Sequence, residues 1–468
     1  MPTPGAASPR TRRRDEVASR GLEAIPVASH RVPLLGHSRQ LQYQPLEFMR
    51  SLHTGEPLKR IYLGTHAVCV LTDPELIVQV LRADRRHFDK GALFDELRPY
   101  IGNGLVTSAG DVHRRQRRMV QGGFHRERIA GVVSVMAQRA DALAASWQPG
   151  QHIAVERSMD ALAFDILTRA MFAGPVHPDI LPIIQTWLGR RIGAMQQTLS
   201  PMPRWIQSLP IPGRARFQPK AIAPLHQALD RITASYRADG ADHNDLLTLL
   251  MNAEDETGAK MTDQQIREEL VTLLVAGTKT TSSSLSWILH SLASYPEVQR
   301  RVQAEVDDVL GGRLPVAADL SALDYLQRTI REVLRMRSVW LLMRRVISPV
   351  TLGGVTLPPG TEVLYSPYAI HHDPRFYPRP DHFNPDRWTK EHSANLPKHA
   401  YMPFGTGSRI CIGEGFALVE LATVIAIIMT RWNLHLTSDT PVRPVVGTLV
   451  RPGRLTLSAS PRTASADM

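Results

Sequence analysis

From Leu225 to Arg337 the apolar residues recur at helical spacing, and within that run Asp263 to Tyr295 reads as one long helix. Helical spacing also marks Val112 to Ala145, Val155 to Ala173 and about Gly415 to Trp432. Strand patterns are short. They fall at Lys59–Leu63 and Ala67–Leu71, after which Asp73-Pro74 opens a helix, and at Val350–Leu352, Val355–Leu357 and Glu362–Tyr365. No strand–helix–strand alternation appears, which argues against a doubly wound nucleotide-binding fold. The expected fold class is mainly α with minor β.

Length alone, 468 residues, would suggest two or three domains, but no internal repeat and no linker divides the chain. Residues 1–28 read as a disordered basic tail without the apolar core of a signal peptide, 29–462 as a single catalytic domain, and 463–468 as a short C-terminal tail. Hydrophobic content of 43% and charged content of 21% are those of a soluble globular protein, and no stretch has the length and apolarity of a membrane span. Two cysteines, Cys69 and Cys411, cannot make a disulfide framework, so a reducing, cytoplasmic setting is expected. The formal charge of +11 is scattered and not interleaved with aromatics, which argues against nucleic acid and leaves an acidic protein partner open.

The segment Phe404-Gly-Thr-Gly-Ser-Arg-Ile-Cys-Ile-Gly413 carries the strongest chemistry. Gly407 and Gly413 bracket the sulfur of Cys411 and let backbone N–H groups approach it. The apolar helix that opens near Gly415 turns its positive end toward an anionic sulfur. Phe404 can cover the sulfur, and Arg409 can reach an anionic group. Taken alone, the segment also suits an inert buried cysteine in a turn.

Phe-x-x-Gly-x-Arg-x-Cys-x-Gly resembles the haem-binding signature of the cytochrome P-450 family at every fixed position. Three further family elements follow the expected order. Glu332-Val-Leu-Arg335 matches the Glu-x-x-Arg pair, Arg387 in Phe383-Asn-Pro-Asp-Arg-Trp388 the arginine that completes its network, and Ala276-Gly-Thr-Lys-Thr-Thr281 the oxygen-binding groove. The resemblance covers nearly the whole chain. It implies haem b held between the long helix and the helix after the cysteine loop, with Cys411 as axial ligand. By the same resemblance His113, Arg117, Arg409 and either Arg344 or Arg345 meet the propionates, with Phe404 and Gly413 beside the cofactor. Glu332, Arg335 and Arg387 are structural. Thr280 is implied to hydrogen-bond dioxygen and help deliver protons, with Thr281 beside it, and Gly277 to leave room for oxygen and substrate. A threonine inside a helix can instead bond back to a carbonyl one turn earlier.

This chain departs from the family at two points. The usual acidic residue before the threonine is Lys279, so protons run through Thr280, Thr281 and water, or coupling is altered. The usual Pro-Pro after Glu-x-x-Arg is replaced by Met336-Arg-Ser-Val-Trp340.

The family's variable substrate regions match Phe88–Val106, the lid Pro182–Phe217, Val339–Met343 and Val446–Val450. The candidate substrate contacts are Phe94, Leu97, Val106, Leu273, Ala276, Val339, Trp340, Leu341 and Leu449, with Leu105 near them. Few ionisable groups lie among them, which favours an apolar substrate. Tyr365-Ser-Pro-Tyr-Ala-Ile370 resembles terpene-oxidising bacterial members, implying secondary metabolism; fatty acids and polyketides are the alternatives. With no fused redox module expected, the resemblance implies a separate ferredoxin and an NAD(P)H-driven ferredoxin reductase, with Arg114, Arg115 and Arg118 as a docking patch. The expected activity is monooxygenation with O2. Peroxide-driven or rearrangement chemistry on the same fold and a non-catalytic haem sensor are the rival readings.

Overall fold

The computed structural model describes residues 21–53, 55–198, 222–447 and 449–462. The expected tails are therefore outside it, except for residues 21–28. Those eight are not a free tail: Ile25 is buried, Val27 bridges Arg60, and the Ala28 N–H donates to the Arg60 carbonyl at 2.9 Å. The expected lid Pro182–Phe217 enters the described residues only as the helix Ile180–Thr198, and the remainder lies outside them.

The long helix spans Asp263–Ser294. It starts at a capping box in which Thr262 and Gln265 each accept the other's backbone N–H, and it stops at Tyr295, before Pro296. Leu270, Leu274, Leu285, Ile288 and Leu292 bury it on several faces, so it threads the core and does not lie on the surface. It packs against the helices Val155–Met171, Glu414–Arg431 and Asp324–Met336. The expected helix Val112–Ala145 is two, Gly110–Gln121 and Arg126–Ser146, because Gly122-Gly123 makes a tight turn between them.

The largest sheet has five strands in the order Leu58–Leu63, His66–Leu71, Glu362–Tyr365, Leu342–Val346, Phe88–Asp89. Only the pairing of His66–Leu71 with Glu362–Tyr365 is parallel. Leu342–Val346 was not evident as a strand, since its two adjacent arginines break the apolar alternation. One smaller sheet joins His152–Ala154, Thr456–Pro461 and Trp432–Leu436, and two hairpins complete the strand content of the described residues. Helix thus dominates and strand is the minor component, as expected.

Candidate active site

The cysteine loop is built by backbone constraints. Gly407 has φ +69°, and a β-carbon there would lie 2.9 Å from the Leu81 carbonyl oxygen, so only glycine fits. The Cys411 N–H donates to the Phe404 carbonyl at 2.9 Å and closes the loop. Three residues later the helix Glu414–Arg431 begins, aiming its N-terminus at the sulfur.

Behind the loop, Glu332 and Arg335 are fully buried and lie one turn apart on Asp324–Met336. Arg335 donates to Glu332 from Nε at 2.9 Å and from a terminal nitrogen at 2.8 Å. The carboxylate also accepts from Trp388 Nε1 at 3.0 Å, the Asn384 N–H at 3.1 Å and Arg387 Nε at 3.4 Å. Arg335 further donates to the His371 carbonyl at 2.7 Å, and His371 Nε2 accepts the Met402 N–H at 2.9 Å. Burial holds His371 well below its ordinary value, so it is neutral and free to accept. Met402 in turn accepts from the Gly405 N–H. The charge network therefore reaches the cysteine loop through one histidine.

A cavity of about 750 Å³ opens between this loop and the long helix. Cys411, Phe404, Gly413, Arg409 and Arg344 wall it from one side, and Leu273, Ala276, Gly277, Thr280 and Thr281 from the other. Of the two cysteines, Cys69 is sealed in the sheet, where burial pushes its thiol up to about 12. Cys411 is exposed and lines the cavity; its deep setting raises the thiol above its ordinary value, opposed by the Gly413 N–H and Arg117.

Arg344 and Arg345 separate as alternate residues of a strand must. Arg344 is buried at the cavity, whereas Arg345 turns to the other face and pairs with Asp89 at 2.6 Å and Asp95 at 2.8 Å. His113 and Arg117 stand behind the wall. Arg117 donates to the Ile410 carbonyl at 2.7 Å. Burial pushes His113 down to about 2, and the charges bearing on it, Arg409, Lys90, Arg117 and Arg344, are all cationic. Lys90, at the cavity wall, was missed in sequence because an isolated lysine after a two-residue strand carries no pattern.

Four cations gathered around His113, beside one accessible thiol, suit a group that is anionic at one edge and holds a thiophilic metal. Haem fits that donor set. A bound metal also reverses the electrostatics of the sulfur, since a coordinating thiol loses its proton.

Several expected residues stand elsewhere. Thr280 lines the cavity, but its hydroxyl donates back to the Ala276 carbonyl at 2.6 Å. Gly277 lines it too, and it also admits Leu167, whose methyl would lie 2.8 Å from a β-carbon there. Phe94, Leu273, Ala276, Val339 and Leu449 wall the cavity; Leu97, Leu105, Val106, Trp340 and Leu341 do not. Leu97 and Leu105 are buried in packing, and Trp340 Nε1 is bound to the Gly447 carbonyl at 2.6 Å.

Lys279 turns away from the cavity. Its ammonium donates to Asp160 at 2.6 Å, Ser282 donates to the other oxygen of Asp160 at 2.6 Å, and all but Ser282 line a second cavity of about 660 Å³. Nothing in the sequence pointed to Asp160, 119 residues away. The expected docking arginines are matched inside the chain: Arg114 with Asp111 at 3.1 Å, Arg115 with Asp255 and Arg118 with Glu256.

The Cytochrome P450 family profile matches residues 26–458. Cyclooctat-9-en-7-ol 5-monooxygenase of Streptomyces melanosporofaciens is 39% identical over 422 residues, 89% of this chain and 89% of that protein. Cyclooctatin synthase of the same organism is 39% identical over 440 residues, 93% and 94% of the two chains. Pentalenene oxygenase of Streptomyces avermitilis is 34% identical over 435 residues, 92% and 96%. Among the described residues no helix is long and apolar enough to cross a membrane. With this coverage of a fold and a cysteine-walled cavity that suit it, the chain belongs to the cytochrome P450 family and is a monooxygenase that binds haem b through a cysteine thiolate.

Proposed function

We propose that this monooxygenase oxidises a terpene in secondary metabolism, with Cys411 as the haem ligand and electrons from a ferredoxin and its NAD(P)H-driven reductase. The observation that carries the reading is the shared cavity: the one accessible thiol shares it with Ala276, Gly277, Thr280 and Thr281 of the long helix, and Phe94, Leu273, Val339 and Leu449 add apolar wall. Relatives that oxidise terpenes support the substrate class. Haem bound there supplies activation of O2 and insertion of one oxygen atom into a C–H bond.

The protein's own part is binding and proton handling. Arg344, Arg409, Arg117 and His113 hold the anionic edge of the cofactor, Phe404 and Gly413 cover the sulfur, and the Glu332–Arg335–Arg387 network keeps the loop in register. The apolar wall excludes water from around the substrate. Thr280 and Thr281 donate or pass protons at their Oγ1 atoms, and Thr280 must release the Ala276 carbonyl to do so. Lys279, held by Asp160 on the far side of the helix, stays out of that path. Residues 29–462 act as one catalytic domain in the cytoplasm. Relatives named as a monooxygenase and an oxygenase do not favour peroxide-driven or rearrangement chemistry.

A carbon monoxide difference spectrum of the reduced protein tests the ligand, and a Soret band outside the thiolate range refutes it. Turnover of a sesquiterpene panel with ferredoxin and NAD(P)H, against peroxide, tests the rest. Products that form only from fatty acids would overturn the substrate class.

A further inference from the structure

Between the helices Ala92–Ile101 and Gly110–Gln121 the chain crosses the long helix as the loop Gly102–Thr107. Two consecutive carboxylates of the long helix hold it. Glu268 accepts the Asn103 N–H at 3.1 Å, and Glu269 accepts the Leu105 N–H at 3.0 Å. Between them Gly104 lies flat on the helix, where a β-carbon would come within 2.7 Å of the Glu268 carbonyl oxygen and collide with Thr272 Oγ1. The seat is close enough that only glycine fits.

The two carboxylates differ in setting. Glu268 stays partly open to solvent, whereas Glu269 is fully buried and has just one hydrogen bond; its Oε1 has no partner among the described residues. Thr272 Oγ1, one turn along the same face, and Gln116 Oε1, whose amide nitrogen donates to the Asn103 carbonyl at 2.7 Å, are likewise buried and unpartnered. A buried carboxylate with one bond and no cation is costly, whereas a neutral carboxyl still accepts from Leu105 and gains a proton to donate from Oε1.

Among the described residues, the surrounding charges give an ionised Glu269 no support. On its own helix, Glu268 repels it and Arg267 is taken by Asp230 at 2.8 Å. On Ala92–Ile101, Arg98 pairs with Asp95 and donates to the Thr107 carbonyl. On Gly110–Gln121, Arg115 and Arg118 are held by Asp255 and Glu256. On the helix Ala223–Asp239, His226 and Asp230 sit toward Arg267 and Glu268.

We propose that Glu269 is a positioning residue whose protonated carboxyl seats the loop Gly102–Thr107 on the long helix, and that its ionisation unseats the loop. Glu269 lies one turn before Leu273, and the loop continues from the helix that carries Phe94. Unseating it therefore loosens the cavity wall at those two residues and widens access to the cavity. Burial first, then Glu268, raise the carboxyl from 4.5 to about 7 when the loop is seated, with the Leu105 N–H opposing. A raised carboxyl value means the seated form binds the extra proton. Seating is complete at low pH, weakens as pH rises from the unseated value through about 7, and levels off above it. The shift of 2.5 corresponds to a roughly 300-fold change in the seated-to-unseated ratio.

Amide hydrogen exchange at Leu105 in the haem-loaded, substrate-free protein tests this, after correction for the intrinsic pH dependence of exchange. Protection should fall by about 30-fold between pH 5.5 and pH 8.5, the part of the full change that lies in that window, and Glu269→Gln should remove that pH dependence. A carboxyl 13C titration of the wild type adds a readout independent of the variant, with a midpoint that should coincide with the loss of protection. Protection independent of pH, an unchanged slope in Glu269→Gln, or a carboxyl ionised throughout the range would each overturn the proposal. None of these outcomes depends on which substrate the enzyme oxidises.

Discussion

Replacing Glu332 by glutamine keeps the shape of the side chain and removes its charge. In the native protein both carboxylate oxygens face donors: two nitrogens of Arg335, Trp388 Nε1, the Asn384 N–H and Arg387 Nε. A glutamine amide must point its NH2 at part of this donor ring. It also leaves the Arg335 guanidinium, at 0% exposure, with the His371 carbonyl and the Tyr377 ring 5.1 Å away as its remaining support. Breaking a buried pair from one side costs about 3–5 kcal/mol. Because the network reaches Met402 through His371, the loop and haem retention should fail with it. The assay is the denaturant midpoint of wild type, Glu332→Gln and the double variant Glu332→Gln/Arg335→Met, each followed by tryptophan fluorescence and by the haem spectrum. The double variant should recover part of the loss, since it leaves no uncompensated charge. A single variant that loses less than about 1 kcal/mol, the worth of an ordinary hydrogen bond, would refute the reasoning. So would a double variant with no recovery.

Cys411→Ser should abolish the thiolate-type Soret band of the reduced carbon monoxide complex, while Cys69→Ser leaves the band in place. Arg344→Leu should weaken haem binding by roughly 10- to 100-fold, the worth of a hydrogen bond to a charged group, whereas Arg345→Leu should chiefly lower stability by breaking the pairs with Asp89 and Asp95; haem titration and thermal melts separate the two. Lys279→Ala should cost about 1 kcal/mol of stability, because it breaks a partly buried ion pair, and leave the ratio of product to NAD(P)H unchanged. Thr280→Ala should lower that ratio and raise hydrogen peroxide release, and equal uncoupling in both variants would put Lys279 back in the proton path.

What spacing along the chain encodes was readable early. The limits of the long helix, the turn that offers Cys411, and the pairing of Glu332 with Arg335 all depend on residues within a few positions of one another. Local geometry therefore specifies them: one helical turn aligns the pair, and glycine at positive φ makes the loop. Other features were not readable, because each depends on a residue that packing brings from far along the chain. Alternation in a strand says that Arg344 and Arg345 face opposite ways, but the sheet's burial against the cavity selects Arg344 as the inner one. Helical periodicity says that Lys279 and Thr280 point in different directions, and Asp160 on a neighbouring helix fixes which of them leaves the cavity. Leu97 and Trp340 are apolar enough to line a cavity, yet one is spent on core packing and the other on the Gly447 carbonyl. Of the arginines expected to meet a partner, Arg114 pairs within its own helix, whereas Arg115 and Arg118 find their acids about 140 residues away, at Asp255 and Glu256. Sequence spacing fixes which side chains share a face; the fold chooses what stands opposite that face, and here that choice sets the charge around the haem site.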